Sequence, residues 1–121
     1  MAVQSFEQLE VWQKAHALAI EVYKQSQKLP EEEEFGLILQ MRQAAMRVPA
    51  YIANGFKRRQ MKSKLRMYNK AQASLEELRY YFLLCRDLKF EVNFEELAYQ
   101  GDQAARMVNG LVRSIAIRQR D

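Results

Sequence analysis

From Phe94 onward, Leu97, Gly101, Ala104, Val108, Leu111 and Ile115 follow at alternating steps of three and four, and Arg118 keeps the step while ending the apolar run. Side chains repeat about every 3.6 residues on a helix and every second residue on a strand, so this spacing makes a stripe only on a helix. A helix carrying such a heptad seam must lie against another helix. Gly101 and Ala104, the small members, let that neighbour approach closely, which offsets the propensity cost of glycine. Asn93, with Glu96 three positions later, supplies a capped start.

Three earlier segments have the same character. Ser5, with Gln8 as its capping partner, predicts a helix running to about Lys28. In it Leu9, Trp12, His16, Ala19 and Tyr23 form one row, and Val11, Ala15, Leu18 and Val22 a parallel one. Pro30 followed by Glu31, Glu32, Glu33 and Glu34 predicts the next start, since proline suits a first helical turn and carboxylates favour the positive end of the helix dipole. Ile38, Met41, Ala45, Val48 and Ile52 then carry one face straight through Pro49, which predicts a proline-kinked helix rather than two helices. Gly55 is read as its terminator or hinge.

The third helix is expected over about Arg59 to Leu88, with Met61, Leu65, Tyr68, Leu75, Leu78, Phe82 and Cys85 inward. Only four glycines and two prolines interrupt a chain rich in good helix formers. The expectation is an all-α protein, a single domain over residues 1–121, folded as an antiparallel up-down four-helix bundle.

The residues that carry chemistry are sparse. His16, the lone histidine, lies in an apolar row next to Trp12, and Cys85, the lone cysteine, continues an apolar stripe. A packed or partly exposed core ring, rather than a general base, and a small buried hydrophobe are the expected roles. There is no metal-ligand spacing of the C-x-x-C or H-E-x-x-H kind, and no glycine-rich phosphate loop after a strand. The scattered methionines read as packing. No enzyme activity, metal or cofactor is therefore expected. The N-terminal residues lack the features of a signal peptide, and no apolar stretch approaches the roughly 20 residues that span a bilayer. A soluble, cytoplasmic protein without a membrane partner is expected.

The charge distribution is uneven. Residues 35–75 hold nine bases and no acid, while the rest of the chain holds ten bases and fifteen acids, so the net charge of +4 hides a strongly basic centre. On a helical wheel Arg59, Lys62, Arg66 and Lys70 fall together in a row about 16 Å long, and Lys57 and Arg58 precede it. Such a row suits phosphate backbones, which are bound by exchanging condensed counterions for Lys and Arg. No base-reading motif accompanies it, so backbone or shape recognition of RNA or DNA is expected. Tyr51 and Phe56 are read either as surfaces for stacking unpaired bases or as core. An acidic protein partner on the same face is the alternative.

The stretches "SFEQLEVWQKAHALAIEVYK", "FGLILQMRQAAMRVPAYIANGFKRR" and "ASLEEL" resemble the four-helix-bundle family also called the S23 or 23S rRNA intervening-sequence proteins. The resemblance covers about residues 5–90. It rests on Phe6, Leu9 and Trp12, then Gly36, Leu37 and Gln40, then Arg42, Ala44, Ala45, Pro49, Ile52, Ala53 and Gly55, and finally Ser74, Leu75, Glu77 and Leu78. It implies a kinked bundle that assembles into a homopentameric ring and is not an enzyme. Through related accessory proteins of diversity-generating retroelements, it implies nucleic acid and a reverse transcriptase as partners.

This chain departs from the family toward positive charge. It reads Ala50-Tyr51-Ile52-Ala53-Asn54-Gly55 where many members read S-N-I-A-E-G. It has Gln60 and Ser63 where a Ser and a Glu commonly open the third helix, and Arg79 in place of a common Glu.

Overall fold

The computed structural model describes residues 2–120. Four long helices make up the chain: α1 (Glu10–Ser26), α2 (Leu37–Lys57), α3 (Met61–Asp87) and α4 (Phe94–Arg120). Among the described residues there is no strand, and no helix is long and apolar enough to cross a membrane. Each helix packs on its sequence neighbours, α4 closes back onto α1, and the diagonal pairs do not pack together. That is an up-down four-helix bundle.

The core is built from the stripes legible in the sequence. From α1 come Val11, Ala15, Leu18, Ala19 and Val22, and from α2 come Met41, Ala45, Val48 and Ile52. From α3 come Tyr68, Leu75, Leu78, Phe82 and Cys85, and from α4 come Leu97, Ala104, Val108 and Ile115. In α1 the row of Val11, Ala15, Leu18 and Val22 is the buried one. Of the other row only Ala19 is buried; the rest marks the edge, where exposed His16 stacks on Trp12 with ring centroids 4.8 Å apart and planes 10° apart.

The helix ends differ from the sequence expectation in five places. Ser5 opens a 3-10 turn over Phe6–Gln8, and α1 begins only at Glu10 because Leu9 is extended (φ −75°, ψ 125°). The Gln8 amide oxygen still reaches back, accepting from the Gln4 and Ser5 N–H groups at 2.8 and 3.2 Å. At its other end α1 stops at Ser26 rather than Lys28.

Pro30 likewise opens only a 3-10 turn, Glu31–Glu33, and α2 starts at Leu37 because Gly36 (φ −107°, ψ −109°) breaks the helical path. The acidic run nevertheless serves this start, since Glu33 Oε1 accepts from the Leu37 N–H at 3.1 Å. That carboxylate supplies an acceptor for one of the helix's unpaired N-terminal donors.

Helix α2 runs unbroken through buried Pro49 and ends at Lys57. Gly55 is neither terminator nor hinge: it is buried within the last turn of α2, pressed against α3. A Cβ on Gly55 would stand 2.5 and 2.8 Å from Cε1 and Cδ1 of Tyr68 and 3.1 Å from Cβ of Met67.

Helix α3 starts at Met61, not Arg59, after an extended Gln60 whose side chain makes no capping bond. It stops in a 6→1 and 5→2 pair of bonds, Phe90 N–H to the Cys85 carbonyl at 3.0 Å and Lys89 N–H to that of Arg86 at 3.1 Å. Lys89 takes the left-handed conformation (φ 62°) that this C-terminal motif requires. The start of α4 is as expected, with Asn93 Oδ1 accepting from the Glu96 N–H at 3.1 Å.

The α4 seam behaves as its spacing predicts. Gly101 is buried, and a Cβ there would lie 3.2 Å from Cε2 of Phe82 on α3. Buried Cys85 lies with its sulfur 3.7 Å from that of Met41. Burial, followed by the charge of Glu33, pushes its thiol up to about 11, so almost none of it is thiolate near neutral pH.

Candidate nucleic-acid interface

The up-down order brings the C-termini of α2 and α4 to the same end of the bundle as the start of α3. The acid-free stretch of the chain therefore turns a corner there. Lys57 is the last residue of α2, and Arg58 to Gln60 form the link. The α3 face opens with Lys62, Arg66 and Lys70 at steps of four, all exposed. Steps of four on a helix rise about 6 Å each, so these three make a line about 12 Å long. Arg59 stands before it on the link rather than within it.

Arg58 is turned to a different use. Its guanidinium donates to Asn54 Oδ1 at 2.9 Å and to Ser63 Oγ at 3.1 Å, clasping the end of α2 to the first turn of α3. Fewer of its donors are left for an outside anion.

Lys64, which the sequence reading left out of the row, performs the second closure. Its ammonium donates to the Gly55 carbonyl at 2.8 Å and to the Phe56 carbonyl at 3.0 Å. These are carbonyls at the negative end of α2, where a cation is favourable. Burial, and then the charge of Arg118, lowers its pKa from the ordinary lysine value. Nothing local in the sequence marks a lysine on one helix as the cap of another.

Arg118 and Gln119 are the other additions. Exposed near the end of α4, they belong to this end because α4 runs antiparallel to α3. Gln119 shares a shallow groove with Lys62, Leu65, Arg66, Asn69, Lys70 and Ala73. The pairing of helix ends implied by an up-down bundle is the signal that could have found both.

The two aromatic candidates are partly covered. Tyr51 and Phe56 are each half-buried, with the Lys70 ammonium 5.8 Å from the Tyr51 ring centroid and the Lys64 ammonium 5.7 Å from that of Phe56.

Glu7 and Glu10, at the start of α1, are acids at this end, and neither forms an ion pair with the row. Ion pairs among the described residues join Arg79 to Glu76 and Asp102, Arg86 to Asp87, and Arg106 to Asp102. None involves Lys57, Arg59, Lys62, Arg66 or Lys70. Neighbouring charges about 6 Å apart repel by at most roughly 0.7 kcal/mol in water before screening, a cost small enough for a folded protein to carry. Eight of the fifteen acids collect at the opposite end, where Glu31 to Glu34, Asp87, Glu91, Glu95 and Glu96 sit on the turns and the helix ends that flank them. The bundle is electrically polarised along its length. Among the described residues no group of three or more His, Cys, Asp or Glu side chains could hold a metal ion.

A solved structure described as a protein with unknown function from the S23 ribosomal protein family of Bacteroides thetaiotaomicron VPI-5482 is similar in fold. The TM-score is 0.77 over 84% of this chain and 97% of that one, at 15% identity. At that identity the likeness speaks for the fold alone. No curated protein matches the sequence. The model of the 23S rRNA-intervening sequence protein family matches residues 7–110, across all four helices, and the chain belongs to that family.

Proposed function

We propose that this protein is a non-enzymatic, oligomeric binder of nucleic-acid backbones. The observation that carries the reading is the basic end of the bundle, where Lys57, Arg59, Lys62, Arg66 and Lys70 stand exposed without a carboxylate partner among the described residues. Cations clustered at one end of the bundle exchange for the counterions of a polyanion. The homopentameric ring implied by the family resemblance is part of the proposal. Five copies of the basic end would let individually weak phosphate contacts add to a useful affinity. An accessory role beside a reverse transcriptase is its narrower form, and a reverse transcriptase gene next to paired template and variable repeats would support that form.

The test is RNA and DNA binding measured against salt, with Arg59, Lys62, Arg66 and Lys70 all changed to Glu. Binding should weaken steeply with salt and vanish in the variant, while its circular dichroism stays helical. Unchanged affinity in the folded variant would remove this site from consideration. A nuclease-resistant, salt-sensitive complex with one acidic protein would favour the scaffold reading. Light scattering coupled to size exclusion reads the pentamer directly.

A further inference from the structure

Proteins that hold unpaired strands combine a basic groove with aromatic rings on which successive bases stack. The α3 row has the first without the second beside it: the rings at the start of α1, half-buried Phe6 and Trp12 and exposed His16, pack on one another and stand on the helix diagonal to α3. Tyr51 and Phe56, the rings beside the row, lie half-buried beneath the ammonium groups of Lys70 and Lys64. The other exposed rings, Tyr23, Phe35, Tyr80 and Tyr99, all sit in the half of the bundle away from it.

What the row offers is a straight line of charge. Lys62, Arg66 and Lys70 stand about 6 Å apart along α3. Adjacent phosphates of one duplex strand rise about 3.4 Å each along the axis, so a row about 12 Å long laid along that axis spans about three phosphate steps. Beside the cations the groove is lined by a parallel α3 row of Leu65, Asn69 and Ala73, and by Gln119 of α4. Apolar groups beside a line of cations suit sugar rings next to phosphates. A rigid helix matches a strand whose phosphates are already held in register by base pairing, and a duplex carries a higher charge density than a flexible strand.

Resting on the backbone-binding reading above, we infer that the α3 row grips one sugar–phosphate strand of a base-paired duplex in preference to unpaired nucleic acid. Duplex RNA and duplex DNA share this chemistry. The experiment is fluorescence anisotropy with the full chain and four probes of equal length: duplex RNA, duplex DNA, oligo(U) and oligo(dT). At least one duplex should bind ten times or more as tightly as either single strand, and the tighter duplex identifies the physiological source. In the triple variant K62Q/R66Q/K70Q the slope of log affinity against log salt should fall by about 2.7 for each engaged protomer. Between 50 and 200 mM salt that is roughly a 40-fold smaller loss of duplex affinity. Tyr51→Leu and Phe56→Leu should leave every affinity within about twofold, with thermal melts reporting whether each variant is folded.

Oligo(U) or oligo(dT) binding as tightly as both duplexes would overturn the inference and leave the backbone-binding function standing. Binding to none of the four probes at low salt would overturn both. Binding only to phosphatidylserine vesicles would do the same and assign the face to lipid.

Discussion

The same substitution at two glycines should have opposite effects. Gly55→Ala and Gly110→Ala each replace a glycine inside a helix, and each gains about 1 kcal/mol of helix propensity. At Gly110 a Cβ meets nothing within 4 Å, so the gain stands alone. At Gly55 the Cβ lands 2.5 and 2.8 Å from two ring carbons of Tyr68, a residue only 2% exposed and held in the core.

Overpacking a rigid core costs about 1–3 kcal/mol, and a contact this short against a ring that cannot swing away belongs at the upper end. The net effect of Gly55→Ala is then a loss of about 2 kcal/mol. For a domain of 121 residues, about 1 kcal/mol moves the melting temperature by about 4 °C. Gly110→Ala should therefore melt about 4 °C higher than the parent and Gly55→Ala about 8 °C lower. Gly101→Ala should fall between them, because its contact with Phe82 at 3.2 Å asks for a smaller adjustment. Thermal and urea denaturation followed by circular dichroism reads all three. If Gly55→Ala is as stable as the parent, the close approach of α2 and α3 is not what requires a glycine there.

Two further substitutions test local chemistry. Tyr81 donates its hydroxyl to Glu77 Oε2 at 2.5 Å, and that bond, with burial next, raises its pKa from 10.0 to about 12. The folded protein thus keeps a proton that the unfolded chain loses above pH 10, so this contribution is whole below pH 10 and disappears as the pH climbs through about 12. In urea melts across that range the stability advantage of the parent over Tyr81→Phe should shrink toward zero, and an advantage independent of pH would contradict the assignment. Lys89→Gly should stabilise the fold by about 1 kcal/mol, because φ at Lys89 is 62° and glycine takes that conformation without a Cβ penalty. An unchanged or lower melting temperature would show that the Lys89 side chain contributes more than its backbone strain costs.

Much of the bundle was legible because helical packing is written at short range. The stripes on α1, α3 and α4 and the continuation of α2 through Pro49 follow from spacings of three and four, and the α4 cap from Asn93 with Glu96. The ends were harder to read because their signals compete. Pro30 and four glutamates look like the first turn of a helix, yet the backbone at Gly36 delays α2 to Leu37, and Glu33 caps it from outside. Ser5 met the same fate when extended Leu9 separated its turn from α1.

The basic face was legible as composition and only partly as geometry. Lys62, Arg66 and Lys70 form the row that helical spacing places together, since they share one element. Arg59 slipped onto the link, and Arg58 folded back onto Asn54 and Ser63. Both depend on where one helix stops and the next begins.

The local pattern alone determined four helices, their inward faces and a concentration of positive charge in the middle of the chain, because all three rest on residues a few positions apart. Tertiary structure decided the rest. Only Tyr68 on α3 explains why Gly55 on α2 lacks a side chain. Only the antiparallel return of α4 brings Arg118 to Lys64, and only the end of α2 gives Lys64 carbonyls to bind. These are contacts between helices, and periodicity within one helix carries no information about which residue of another will stand opposite.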